Sequence, residues 1–157
     1  MAEATIAVAV EPPTAADVAA LLTEHLDEMH ATSPPESVHA LDLGRLTAPD
    51  IVFVTARDAD GTLLGCGALK LHDDGLGEVK SMRTTAGARG RGVATTVLLF
   101  LLDEARARGV ARVSLETGAE DHFAPARRLY ARHGFTPCGP FADYTDDPLS
   151  VYLTRTV

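Results

Sequence analysis

The chain has 157 residues, 46% of them hydrophobic and 23% charged, and its 14 basic and 22 acidic side chains give a formal charge of -8. A chain of this length holds one domain with its own core, this composition excludes a disordered or fibrous protein, and no apolar run reaches the ~18 residues that span a bilayer. The acidic balance argues against nucleic acid as a partner and suits a cationic substrate such as an amine, and the N-terminal stretch lacks the basic region of a signal peptide, so a cytoplasmic location is expected.

In chain order, Ala4 to Val10 reads as a strand stopped by Pro12 and Pro13. Thr14 is placed to cap a helix over Ala15 to Met29, whose apolar residues Val18, Leu21, Leu22, Leu26 and Met29 recur at helical spacing. A breaker cluster from His30 to Pro35 precedes a short second helix over Ser37 to Leu46. Ile51 to Ala56 and Leu63 to Leu71 are strands joined by a hairpin signal at Asp60-Gly61, and Glu78 to Thr84 completes a meander. An apolar helix from Ala94 to Arg108, a buried strand from Ala111 to Thr117 and a helix from Phe123 to His133 come next. Two strands, Phe135 to Phe141 and Ser150 to Thr156, end the chain. The order predicts a single α+β domain over residues 1–157, built on a mixed sheet.

The chemistry concentrates before the second long helix, where Ala88 to Val97 reads ARGRGVATTV. A helix N-terminus carries unpaired N–H groups and partial positive charge, and glycines let a ligand approach the backbone. Gly90 and Gly92 supply that approach and Arg89 and Arg91 supply charge; with Lys80 and Arg83 they make a basic island in an acidic chain. The segment is either an anion cradle or a plain strand-to-helix turn. Cys66 and Cys138 match neither a disulfide framework nor a zinc spacing. No metal site is expected: His25 and His30 are five residues apart, and His72-Asp73-Asp74 is a turn without further ligands.

Arg89-Gly90-Arg91-Gly92-Val93-Ala94 resembles the acetyl-CoA signature of the GNAT (GCN5-related N-acetyltransferase) family: Gln or Arg, two residues, Gly, one residue, then Gly or Ala. A second family block, Leu-Tyr followed by Gly-Phe, stands at Leu129-Tyr130 and Gly134-Phe135. The resemblance covers nearly the whole chain and implies the GNAT fold, a mostly antiparallel twisted sheet flanked by helices. It implies acetyl-CoA as co-substrate, with main-chain groups of Met82, Arg83 and Thr84 along its arm and acetyl group and those of Arg89 to Thr95 on its pyrophosphate. The activity implied is direct acetyl transfer to a primary amine of a small molecule or peptide, within a ternary complex.

An alkyl amine is protonated at neutral pH and needs a base. The resemblance offers Glu78 at the start of the strand before the signature, with Glu116 as the second candidate; the alternative for Glu78 is an exposed carboxylate or a partner of Lys80. Tyr130 matches the family tyrosine that protonates departing coenzyme A, the alternative being a packed core aromatic. Phe123 stands where the family often has a cofactor-holding asparagine. On the acceptor side the loop after the first helix offers His30, Ser33, Glu36 and His39, with Glu116 also counted as substrate-binding, while Glu24, Asp27 and Glu28 would attract a cation. A Rossmann reading fails because Thr95 occupies its third glycine position. The rival of another class is a non-catalytic acyl-CoA-binding regulatory module. Homodimers are common in such folds, and no residue here signals one directly.

Overall fold

The computed structural model describes residues 5–34 and 44–157. One seven-stranded sheet runs through it in the order β1-β2-β3-β4-β5-β7-β6, with β1 Ala7–Val10, β2 Ile51–Arg57, β3 Leu63–Leu71, β4 Leu76–Thr84, β5 Arg112–Gly118, β6 Thr136–Cys138 and β7 Ser150–Thr156. Among the described residues only β4 and β5 pair in parallel; the other neighbours are antiparallel. Helix α1, Ala16–Thr32, packs on one face, and α2, Val93–Ala107, with α3, Ala124–Arg132, on the other.

The two-residue period of the strands builds both faces. Val52, Val54 and Ala56 join Val97, Leu98, Leu101 and Leu102 under α2, whereas Phe53 between them joins Val18, Leu21 and Leu22 of α1. With both faces covered, β2 and β3 are apolar along almost their whole length, hence their continuous hydrophobic appearance in sequence.

Strand and helix boundaries agree with expectation to within a few residues, with four exceptions. Helix α1 continues three residues past Met29, through the polar His30, Ala31 and Thr32. Thr14 does not cap it: Ala15 is the N-cap and makes no side-chain bond. The expected helix at Ser37 to Leu46 lies largely outside the described residues, and Arg45–Thr47 forms a 3-10 turn. Strand β6 is only three residues long, because Pro137 has no N–H to donate and Gly139-Pro140 ends the run, tolerable at the sheet's edge. Among the described residues no helix is long and apolar enough to cross a membrane.

Candidate active site

The sheet opens between β4 and β5. β4 and β5 pair from Leu76↔Arg112 to Val79↔Leu115 and then stop, while β5 stays paired with β7 to Gly118↔Ser150. Beyond the last couple, Lys80 to Thr84 and Glu116 to Gly118 line a cleft of about 480 Å³ closed by α1, α3 and Tyr144. Strand amides left without a neighbouring strand can accept a ligand amide in its place.

β4 is itself distorted at the opening. Its register against β3 slips between Cys66 and Ala68, and Ser81 adopts φ 55, a left-handed conformation unusual for a side-chain-bearing residue. Among the described residues, three buried polar atoms find no partner, His25 Nδ1, Ser81 Oγ and Arg83 Nε, and all belong to residues lining this cleft. Burial, aided by the Arg83 charge, lowers the His25 imidazole to about 4, so the ring is neutral at physiological pH.

Beside the cleft, Gly90 and Gly92 have φ of 80 and 79, and an added Cβ at either would meet nothing within 4 Å. Gly92 caps α2 without any side-chain bond, so the helix's first N–H groups are left for a ligand. Arg89 and Arg91 are exposed there, and Arg89 lines the cleft. The basic island divides: Lys80 and Arg83 turn to carboxylates, leaving the two loop arginines for an anion. Helix N–H groups with no side-chain cap, and a slot of unpaired strand between β4 and β5, are the kinds of group that a phosphate and an amide-bearing arm such as those of acetyl-CoA call for. Met82, Arg83 and Thr84 line the slot; Val93 is a core residue, so only its main chain is available.

Glu78 is 2% exposed. Its Oε2 accepts from Tyr144 Oη at 2.6 Å and Lys80 Nζ at 3.0 Å, and its Oε1 lies 2.9 Å from His72 Nε2. Burial raises its pKa, but the Lys80 charge and the bonds from Tyr144, Lys80 and His72 outweigh it and hold the carboxyl below its ordinary range. Glu116 differs. Burial pushes it up to about 7, against one bond from Ser150 Oγ at 3.0 Å and the attraction of Lys80, with Glu78 and Asp147 adding to the rise. Tyr130, on α3, is buried against Phe135 and lines the cleft; burial and then the charge of Glu116 raise its pKa, so its hydroxyl stays protonated.

Of the acceptor-side candidates, Ser33 lines the cleft and donates to Glu120 at 3.1 Å, and Glu116 lines it too. His30 is exposed at the end of α1 and is not among the lining residues. Glu36 and His39 lie outside the described residues. Glu24 and Glu28 do not stand free for a cation: both accept from Arg83 Nη2 at 2.5 Å, and Glu28 also meets His122 Nε2 at 3.0 Å. Phe123, in place of the family asparagine, lies against Gly118, where any Cβ would collide with its ring. Sequence reasoning missed Tyr144, because the segment between β6 and β7 has no periodicity to place it.

The profile of the acetyltransferase (GNAT) family matches residues 18–135. The chain is 49% identical over 146 residues to the uncharacterized N-acetyltransferase YsnE of Bacillus subtilis (strain 168), covering 93% of this chain and 96% of that protein. It is 41% identical over 141 residues to an IAA acetyltransferase of Azospirillum brasilense, covering 88% and 90%. The PaiA N-acetyltransferase of Thermoplasma acidophilum, solved with coenzyme A, superposes with a TM-score of 0.72 at 14% identity over 98% of this chain and 99% of its own, a likeness of fold.

Proposed function

The chain belongs to the GNAT acetyltransferase family, and on that premise we propose that it carries acetyl from acetyl-CoA to a primary amine of a small molecule or peptide, by direct attack in a ternary complex. Acetyl transfer itself follows from the family; the amine acceptor and the residue roles are our reading. The observation that carries it is the opening beyond Val79↔Leu115, which brings Glu116 and Tyr130 to one cleft from different elements.

In this reading Glu116 takes the proton of the attacking amine, because a carboxylate near pKa 7 is both ionised and basic enough at physiological pH. Tyr130 hands its proton to the departing sulfur. Glu78 supports the site as a fixed negative charge held by Lys80, Tyr144 and His72. Acetyl-CoA, when bound, supplies the activated acyl group, and the helix start from Arg89 to Thr95 holds its pyrophosphate.

Calorimetric titration with acetyl-CoA and separately with NAD, followed by a panel of primary amines, tests this. Acetyl-CoA binding alone, with transfer to at least one amine, is expected. Failure of acetyl-CoA to bind overturns the reading.

A further inference from the structure

The chain contains two lysines, Lys70 and Lys80. Lys80 is the first residue of β4 beyond its last couple with β5, and Glu116 is the first of β5 beyond the same couple. Lys80 Nζ is held by Glu78 at 3.0 Å and Tyr144 at 2.8 Å and sits 5.4 Å from the centroid of the Tyr144 ring. Its side chain is 9% exposed, yet the residue lines the cleft. A primary amine of this chain thus already occupies the cleft where an acceptor amine would attack, with the Glu78 carboxylate, the Tyr144 hydroxyl and the Tyr144 ring around it.

We propose that Lys80 is an internal acetyl acceptor, acetylated at Nζ when acetyl-CoA is present and an external amine is not. This rests on the acetyl-transfer reading of the same cleft. In the step, Glu116 takes one proton from the ammonium and releases it to solvent. Lys80 Nζ then forms a bond to the acetyl carbonyl carbon as the carbon–sulfur bond breaks. Tyr130 gives its proton to the departing sulfur and recovers the second proton shed by the nitrogen. The products are acetyl-Lys80, coenzyme A and one proton. The acetylated side chain is neutral, so Glu78 loses its ion pair with Lys80 and Glu116 loses the attraction of that charge, and transfer to external amines falls.

The test is incubation of the native protein with acetyl-CoA and no added amine, followed by tryptic mapping. Acetyl-Lys80 resists trypsin, so residues 71–83 should appear as one peptide one acetyl heavier. Acetyl on Lys80 should exceed that on Lys70 by about tenfold or more, because a held amine reacts at a high effective concentration. The excess should vanish in the heat-unfolded protein and in Tyr130→Phe. Pre-incubation with acetyl-CoA should progressively reduce transfer to an external amine in the native protein and not in Lys80→Arg, whose side chain keeps the charge and cannot be acetylated by this route. Equal acetylation of both lysines, native or unfolded, overturns the proposal as chemical background. An unmodified Lys80 in a preparation that acetylates an added amine overturns it while leaving the acetyltransferase reading intact. Failure to acetylate either Lys80 or any amine overturns both.

Discussion

Lys80 and Glu116 each follow one member of the last parallel couple, Val79 and Leu115, and both line the cleft that opens beyond it. In a parallel pair, opposite residues share a face, so a cation and a carboxylate flank the same entrance from the two strands. Lys80 draws Glu116 down while burial and the neighbouring Glu78 push it up, and the carboxyl settles at about 7.

Acetyl transfer should therefore rise with pH along a limb centred near 7, since Glu116 must be ionised to accept a proton. Glu116→Gln should remove that limb and lower kcat by about 10²–10⁴-fold, the usual contribution of a general base. Rates measured from pH 5.5 to 9 check it; an unaltered limb in the variant would assign the base elsewhere.

The same group makes a stability prediction. Its folded pKa lies above its ordinary value of 4.5, so the folded state favours the protonated carboxyl. The penalty for ionising it is absent below the unfolded pKa and grows as pH rises from about 4.5 to 7. Glu116→Gln should thus stabilise the protein more at pH 8 than at pH 4, by up to roughly 3 kcal/mol. Urea unfolding of both proteins at the two pH values measures the difference.

Glu78 depends on a partner that is distant in sequence. Tyr144→Phe removes the 2.6 Å bond to a buried carboxylate, with Lys80 and His72 still in place. A loss of about 1–3 kcal/mol is expected, the range for a buried charged acceptor deprived of one donor, together with a rise in the Glu78 pKa. Unfolding midpoints at constant denaturant slope would show it.

The strands β3 and β7 were legible to the residue, because alternating or continuous apolar runs bounded by turn residues announce themselves locally. The glycine-arginine loop before α2 was legible as a motif. What sequence could not show was which carboxylate is constrained. Glu78 and Glu116 look alike as letters, and only the fold surrounds one with Tyr144, Lys80 and His72 and leaves the other with Ser150. Tyr144 comes from irregular chain fixed by Tyr152, whose hydroxyl donates to Thr145 O at 2.7 Å, and by ring contacts with Phe141 and Tyr152. Likewise Arg83 looked like part of an anion site until α1 brought Glu24 and Glu28 onto it.

Gly92 has φ 79 at the start of α2, a conformation that costs a side-chain-bearing residue roughly 1–2 kcal/mol. Gly92→Val should lower stability by about that amount, and the branched side chain would stand in open space at the N-cap of α2. Acetyl-CoA affinity should fall clearly in titration calorimetry. Unchanged affinity would mean that the pyrophosphate lies elsewhere.

Tyr130 packs in the core and, in the proposed function, also donates a proton, and one substitution can separate the two. Its ring packs against Phe135 at 5.7 Å between centroids within the core under α2 and α3, and Phe in its place preserves that packing. Its hydroxyl is kept protonated by burial and by Glu116, so at neutral pH it is a donor. Tyr130→Phe should therefore leave the fold and acetyl-CoA affinity nearly unchanged while lowering kcat by about 10²-fold or more, the signature of an interaction made only as the thiolate leaves. Thiol leaving groups differ in basicity, so the loss should shrink with a more acidic thiol on the acetyl donor, which needs less help from an acid. Equal activity of the variant with acetyl-CoA would remove the proton-donor role and leave Tyr130 as a packing residue alone.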